Sequence, residues 1–318
     1  MPAFHLASFR SRFAALPLLA LEAALVVAWS SGFVGARFAV DHAPVFLVVF
    51  WRCVLVCLLL LPWAWKELRG ASARTWARHA GIGLLAMAGY LAGVVKGVEQ
   101  GVPTALAALI ADLLPLGTAM LASVFLRQPA GLRVWAGLLV GLAGVLLVSR
   151  GALGAGAAPW WAYALPVLGM LSLAVATLWQ GGGTARRPGL SLVANLWLQC
   201  AVSGLVFAAL AALEGGLIPP ATLGFGVSVA WTAVLSSLGG YGLYWICLRR
   251  TSPTRVASVL YLSPGVTAVW AWAMFAEPLS WLMALGMGVS VAGIMLVVRG
   301  ERRPCAAQAR RRAKAGAG

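Results

Sequence analysis

Charge is what this 318-residue sequence has least of: 10% of its residues are Asp, Glu, Lys or Arg, against 62% apolar. A soluble domain carries about a quarter charged residues. So few polar groups cannot cover a globular surface, and the bilayer is the expected solvent. Acids are scarcest, eight Asp and Glu in all, too few and too dispersed for the paired carboxylates or nucleophile–base sets of an enzyme site. His5, His42 and His79 are scattered, which excludes a zinc cluster or an H-E-x-x-H helix, so no metal is expected. The sequence also lacks a G-x-x-x-x-G-K-[ST] loop, which removes that route to ATP, and no cofactor is expected. Cysteine is limited to Cys53, Cys57, Cys200, Cys247 and Cys305. Four of the five lie in apolar runs, where cysteine behaves as a small hydrophobe, so no disulfide framework is expected.

What is plentiful is apolar sequence in long blocks. A helix needs about 20 apolar residues to cross the hydrocarbon core. Ten such spans are expected, at 15–37, 44–64, 78–98, 103–125, 131–149, 159–179, 190–212, 225–248, 254–275 and 279–298. The first follows Arg10 and Arg12 and so resembles a signal peptide, but its run reaches Val40 with Glu22, Trp29 and Arg37 inside, and retention is expected.

The excess of 24 Lys and Arg would suggest nucleic-acid binding in a soluble protein. Here the basic residues occupy short gaps between apolar blocks, no basic face with interleaved aromatics exists, and no nucleic-acid partner is expected. With the N-terminus inside, twenty fall on the inner side, and only Arg37, Lys96 and Arg150 on the outer. Both termini are therefore expected in the cytoplasm. The stretch 301–318, with Arg310, Arg311, Arg312 and Lys314, reads as a basic disordered cytoplasmic tail.

The chain also matches itself at an offset of 149. Gln128 to Gly151 aligns without gaps to Glu277 to Gly300, with Pro, Gly, Val, Ala, Gly, Leu, Val, Arg and Gly identical. The same offset places Pro115 on Pro264, Thr118 on Thr267 and Asp112 on Tyr261. Gly89-Tyr90 matches Gly240-Tyr241 after a small adjustment. The expected architecture is an all-α polytopic membrane protein of ten transmembrane helices, built as two five-helix units at 15–151 and 159–300. Five is odd, so the second unit enters the membrane inverted. Inverted repeats characterise secondary transporters that rock around a midplane site.

Trp29-Ser-Ser-Gly-Phe-Val-Gly in the first span, Arg52 in the second, the Ser258 to Pro264 stretch followed by Thr267, and the Phe275 to Glu277 turn before a Gly-rich last span occur together in this order. Together with Gln199 in the seventh span, they resemble the EamA-type ten-helix permeases of the drug/metabolite transporter superfamily. The resemblance covers about residues 15 to 300. It implies a multi-pass carrier of the bacterial inner membrane, working without ATP and exporting amino acids or other small metabolites. It departs from the family at Arg127-Gln128, where members often carry an acid, and at Asp112, which matches no family pattern.

Ionisable groups in a span usually face a cavity or a partner. Asp112, three residues before Pro115, is a candidate for a substrate ammonium or a proton, or else it and Arg52 neutralise one another. Glu22 shares a helix face with Trp29. It resembles the proton-coupling acid of small multidrug-resistance proteins; an interfacial carboxylate is the other reading. Trp29, Tyr90, Trp179, Asn195, Gln199, Tyr241, Tyr244 and Tyr261 are candidates to bind a zwitterion or a ring. Asn195 and Gln199, at i and i+4, serve helix adhesion equally well. Gly89, Gly93 and Gly97, with Gly137 and Gly141, suit close helix packing. Lys96 and Glu99 are placed to pair near the outer surface.

These residues give a small-molecule substrate and the lipid bilayer as partners, with proton coupling through Asp112 or Glu22. A monomer and a homodimer are both compatible with the sequence. The competing functions are a multidrug or cation efflux carrier of the same superfamily and, in another class, a polytopic enzyme acting on lipid.

Overall fold

Apolar runs decide which segments become helical in a bilayer, but local capping groups decide where each helix begins. In the computed structural model, residues 17–125, 131–153, 158–181, 190–250, 256, 259–260, 262–293, 295–296 and 299 are described. The elements are α1 (Leu18–Val40), α2 (Val45–Gly70), α3 (Ala73–Glu99), α4 (Thr104–Ala111), α5 (Leu114–Phe125) and α6 (Leu132–Leu153), then α7 (Ala164–Gly181), α8 (Leu192–Leu213), α9 (223–250), α10 (Ser263–Phe275) and α11 (Trp281–Gly293). No strand occurs among the described residues. Ser72, Ser191 and Thr222 each accept a hydrogen bond from the backbone N–H three residues on, capping α3, α8 and α9. Such caps contribute about 1 kcal/mol each. Pro17, Pro44 and Pro103 open α1, α2 and α4, where a missing N–H breaks no intrahelical bond.

Among the described residues, six helices are long and apolar enough to cross a membrane: Leu18–Val40, Val45–Gly70, Ala73–Glu99, Trp160–Trp179, Leu192–Leu213 and Leu223–Tyr244. The other four expected spans correspond among the described residues to shorter apolar helices. The fourth span is corrected from one helix to two. Asp112 takes the C-cap position of α4, and the chain turns at 112–113 before α5 begins. In α2 the helix runs beyond the expected end at 64 to Gly70, because Lys66, Glu67 and Arg69 extend it as a polar stem past the apolar run. The basic tail at 301–318 lies outside the described residues.

The helices pack in reciprocal pairs when residues are matched across the two halves. α2 lies along its counterpart α8; α1 packs on α9 as α7 packs on α3; α10 packs on α1 as α5 packs on α7. At the contact between α6 and α11 this reciprocity is atomic. A Cβ on Gly144 would meet Ser290 Oγ and Gly286 O, and a Cβ on Gly293 would meet Gly141 N and Gly137 O. Residues 137, 141 and 144 correspond to 286, 290 and 293 at the offset of 149, so each contact is returned by its mate, as at an isologous interface. Ser290 Oγ donates to Gly141 O at 3.3 Å, a bond between two matched positions. The Gly89, Gly93 and Gly97 stripe serves packing as expected: a Cβ on Gly93 would lie 2.3 Å from Leu165 O and 2.9 Å from Gly169 N, which sets α3 against α7.

Large apolar side chains line the outside: Leu58, Leu139, Leu205 and Trp281 are all more than half exposed. An outer surface of this kind is matched by lipid tails. The largest buried cluster lies between α1, α2, α3, α8 and α9, where Phe33, Val48, Met87, Tyr90, Phe207 and Tyr241 meet.

Candidate central binding site

Two helices of the central cluster leave α geometry at matched places. Leu84–Gly89 in α3 and Thr232–Tyr241 in α9 are π-helical. Such turns widen a helix, loosen its hydrogen-bond ladder and recur at functional sites. The first ends just before Tyr90 and the second ends on Tyr241, the two tyrosines matched in the internal repeat. Loosened carbonyls find hydroxyl donors: Ser172 Oγ donates to Leu85 O at 2.8 Å, and Ser237 Oγ to Thr232 O at 3.2 Å.

The Trp29-Ser-Ser-Gly-Phe-Val-Gly segment of α1 lies against the second π segment. A Cβ on Gly32 would sit 2.7 Å from Ser236 Oγ, and one on Gly35 would sit 2.8 Å from Thr232 Cγ2, so only glycine allows this approach. Trp231 Nε1 donates to Ser31 O at 2.9 Å, fastening the same contact. Trp29 is thereby held 5.4 Å from Tyr241 and 5.6 Å from Tyr244, centroid to centroid. Trp29, Gly32, Phe33, Tyr90, Ser236 and Tyr241 line a cavity of about 30 Å³, room for roughly one water.

A guanidinium and a carboxyl group lie within electrostatic reach of Tyr90 in the cavity wall. Arg52 of α2 is 3% exposed, and its Nε donates to Ser237 Oγ at 2.6 Å. Asp112, at the break between α4 and α5, accepts from Ser263. Ser30 Oγ in turn donates to Ser263 Oγ at 3.3 Å and to Ser263 O at 3.2 Å. Tyr90 is within electrostatic reach of both Asp112 and Arg52. Among the described residues no ion pair joins Arg52 to Asp112. Of the two readings of this pair, the geometry does not favour direct neutralisation: Arg52 and Asp112 are each held by a serine on a different helix.

Five buried polar atoms in this region have no hydrogen-bond partner: Trp29 Nε1, Arg52 Nη2, Asp112 Oδ2, Tyr241 Oη and Thr267 Oγ1. Folded proteins satisfy nearly all buried polar groups, so a concentration of orphans marks a place where water or a ligand completes the site.

Other candidates fall elsewhere. Trp179 is 47% exposed and its ring lies against Gly81, so it packs α7 on α3 away from the cavity. Asn195 and Gln199 do share a buried face of α8, but that face meets α3: Asn195 Oδ1 and His79 Nδ1 are 2.9 Å apart, and Gln199 packs on Gly83. Helix adhesion is thus the reading of this pair that geometry favours. Glu22, in the second turn of α1, is 4% exposed among Leu21, Leu25 and Cys247; it has a partner and does not line the cavity. Tyr261 lies outside the described residues. Ser30, Ser236, Ser237, Ser263 and Thr267 were not singled out from sequence. Ser30, Ser263 and Thr267 nevertheless sit inside the quoted motifs, where hydroxyls in apolar helices were the available signal. No group of three or more His, Cys, Asp or Glu suited to a metal ion occurs among the described residues.

Beyond the cavity, charges gather at one end of the bundle. Lys96 pairs with Glu99, as expected, and with Glu214. Glu99 Oε1 also accepts from Val45 N at 3.2 Å. Arg37 pairs with Asp41 at 2.8 Å and approaches Glu277, whose carboxylate takes the N–H and hydroxyl of Thr104.

Apolar helices packed around a buried, incompletely satisfied polar centre are the architecture of a polytopic membrane protein. The chain belongs to the EamA-like transporter family, whose sequence pattern matches it twice, over residues 12–150 and 160–299; it is thus a member of the drug/metabolite transporter superfamily. It is 28% identical over 289 residues to the "Uncharacterized inner membrane transporter YedA" of Escherichia coli K12, covering 90% of this chain and 92% of that protein. It is 25% identical to an uncharacterised transporter of Synechocystis, covering 86% of this chain and 87% of the relative. A solved crystal structure, 17% identical, superposes with a TM-score of 0.61 over 90% of this chain and 98% of that one, a likeness of fold alone.

Proposed function

We propose that the protein is a secondary active transporter of the inner membrane. In this reading ten spans form two inverted five-helix repeats, 15–151 and 159–300, with both termini cytoplasmic, and small metabolites such as amino acids are exported by alternating access. The observation that carries this reading is the orphaned polar set around Trp29 and Tyr241, with a guanidinium and a carboxyl group within electrostatic reach of Tyr90. A zwitterion matches that layout: its ammonium meets Asp112, its carboxylate meets Arg52, and Trp29, Tyr90 and Tyr241 pack on its side chain. The cavity of about 30 Å³ is smaller than an amino acid, so in this reading it widens to load.

The test is a thermal-stability screen of the purified protein with zwitterionic, anionic and cationic metabolites. A ligand that binds the folded state raises the melting temperature by mass action. Zwitterions are expected to stabilise the wild type and to lose that effect in Arg52→Gln. Stabilisation by lipophilic cations alone, retained in Arg52→Gln, would instead establish the multidrug reading, which the aromatic trio of Trp29, Tyr241 and Tyr244 favours. Uptake of the stabilising compound into proteoliposomes then measures transport itself.

A further inference from the structure

Thiols and a thioether meet where α2, α3 and α8 join the two halves. Cys53 of α2 and Cys200 of α8 are each 1% exposed and interact with one another, and a Cβ on Gly204, one turn beyond Cys200, would lie 3.3 Å from Cys53 Cβ. Cys200 Sγ lies 3.7 Å from Sδ of Met87, which is 1% exposed in the first π segment. Metal–sulfur bonds of about 2.3 Å place neighbouring sulfurs of a trigonal site about 4 Å apart, so this spacing needs little adjustment. The adjacent Arg52 guanidinium acts electrostatically on both thiols, while its Nη2 is buried without a hydrogen-bond partner. A buried cation in that condition favours an anion beside it. Cys200 and the half-buried Cys57 line an apolar groove of about 310 Å³ between α2 and α8, with Leu58 and Leu205 at its lipid-facing rim.

We propose that Cys53, Cys200 and Met87 form a site for one Cu(I) ion. Soft thiolate and thioether ligands select this ion over harder divalent cations. Binding involves no redox step: two thiol protons leave to solvent, two Cu–thiolate bonds form, and the Met87 thioether completes a trigonal set. The resulting anionic centre is neutralised by Arg52. Because α2 and α8 belong to opposite halves, the bound ion ties them together and arrests alternation. That consequence rests on the transporter reading; the site itself does not.

The experiment uses the full-length protein in detergent, with Cu(I) held reduced by ascorbate and competed by a chromophoric Cu(I) chelator. Native mass spectrometry counts bound ions. The wild type is expected to retain one Cu(I) per chain; Cys53→Ser and Cys200→Ser lose it, and Met87→Leu binds at least about tenfold more weakly. Cys247→Ser and Cys305→Ser retain it. Melting curves of the metal-free variants establish folding, and if a serine variant does not fold, Met87→Leu, which conserves volume, decides. A folded wild type that retains no Cu(I), or Met87→Leu and Cys200→Ser that retain it at wild-type affinity, overturns the site. In proteoliposomes Cu(I) should stop transport by the wild type and spare Cys200→Ser; undiminished transport with Cu(I) bound overturns the arrest. Failure to find any transport, with stoichiometric Cu(I) binding intact, counts against the transporter reading instead.

Discussion

Asp112 and Arg52 show how a side chain's neighbours, more than its depth, decide its role. Both are buried, and if they neutralised each other, deleting either would strand the other and destabilise the protein by about 3–5 kcal/mol. Instead Arg52 is held by Ser237 and Asp112 by Ser263, and each keeps an unpartnered polar atom. The two groups share only the electrostatic neighbour Tyr90 and no hydrogen bond, and sites without direct contact usually add to within about 0.5 kcal/mol. A double-mutant cycle of Asp112→Asn and Arg52→Gln, read by chemical unfolding, should therefore give a coupling energy below that value. Asp112→Asn alone should abolish transport while the protein stays folded, since the amide keeps the volume and hydrogen-bonding capacity but neither charge nor proton. A coupling above about 2 kcal/mol would restore the ion pair. The two charges were legible in the sequence because charge in an apolar run stands out. Their serine partners were not, because Ser237 and Ser263 reach them only through the packing of distant helices.

At the scale of the element, the same limit separates what periodicity reports from what contact reports. Apolar runs located the helices to within a few residues, and capping residues such as Ser72 and Thr222 account for most of the remainder. The π segments carry no such signal: Leu84–Gly89 and Thr232–Tyr241 are largely apolar and helix-compatible, and their wider turns lie where Ser172 and the side-chain-free surface of Gly32 and Gly35 approach them. The break at Asp112 had Pro115 as a clue, yet a single apolar run hid it. Glycine positions, by contrast, were readable and can be ranked by what surrounds them. A Cβ on Gly93 meets backbone at 2.3 Å, whereas one on Gly288 meets nothing within 4 Å. Gly93→Ala should therefore destabilise by about 1–3 kcal/mol through forced separation of α3 and α7. Gly288→Ala should be neutral or slightly stabilising, since alanine is the better helix former by about 1 kcal/mol. Equal melting temperatures for the two variants would refute this account of the α3–α7 contact.

On the scale of the whole molecule, the sidedness of the helix ends follows from the ion pairs, independently of the basic residues. Arg37 with Asp41 and Glu277, Lys96 with Glu99 and Glu214, and Trp51 with Leu217 O bring the C-terminal ends of α1, α3, α8 and α10 to one end of the bundle. Glu67 with Ser191 N places the α2–α3 and α7–α8 connections at the opposite end. Reporters fused after Asp41, Gln100 and Gly216 should consequently agree with one another and disagree with those after Arg69 and Arg187, whichever way the chain inserts. The excess of Lys and Arg on one side gives the expected absolute sense, in which reporters after Arg69 and Arg187 read as cytoplasmic and one after Asp41 as periplasmic. Gly156 is the discriminating site, because it lies between the halves. If five spans precede it, a reporter there is periplasmic and matches Asp41. If the turn at 112–113 makes α4 and α5 enter and leave by the same face without crossing, only four spans precede it, and the reporter is cytoplasmic like Arg69. The contact of α5 with α7 and the glycine seats of α6 and α11, which α10 and α11 return from the second half, are what the proposed five-span arrangement leads one to expect. A cytoplasmic reporter after Gly156, with the other fusions behaving as described, would refute the inverted repeat while leaving the family assignment in place.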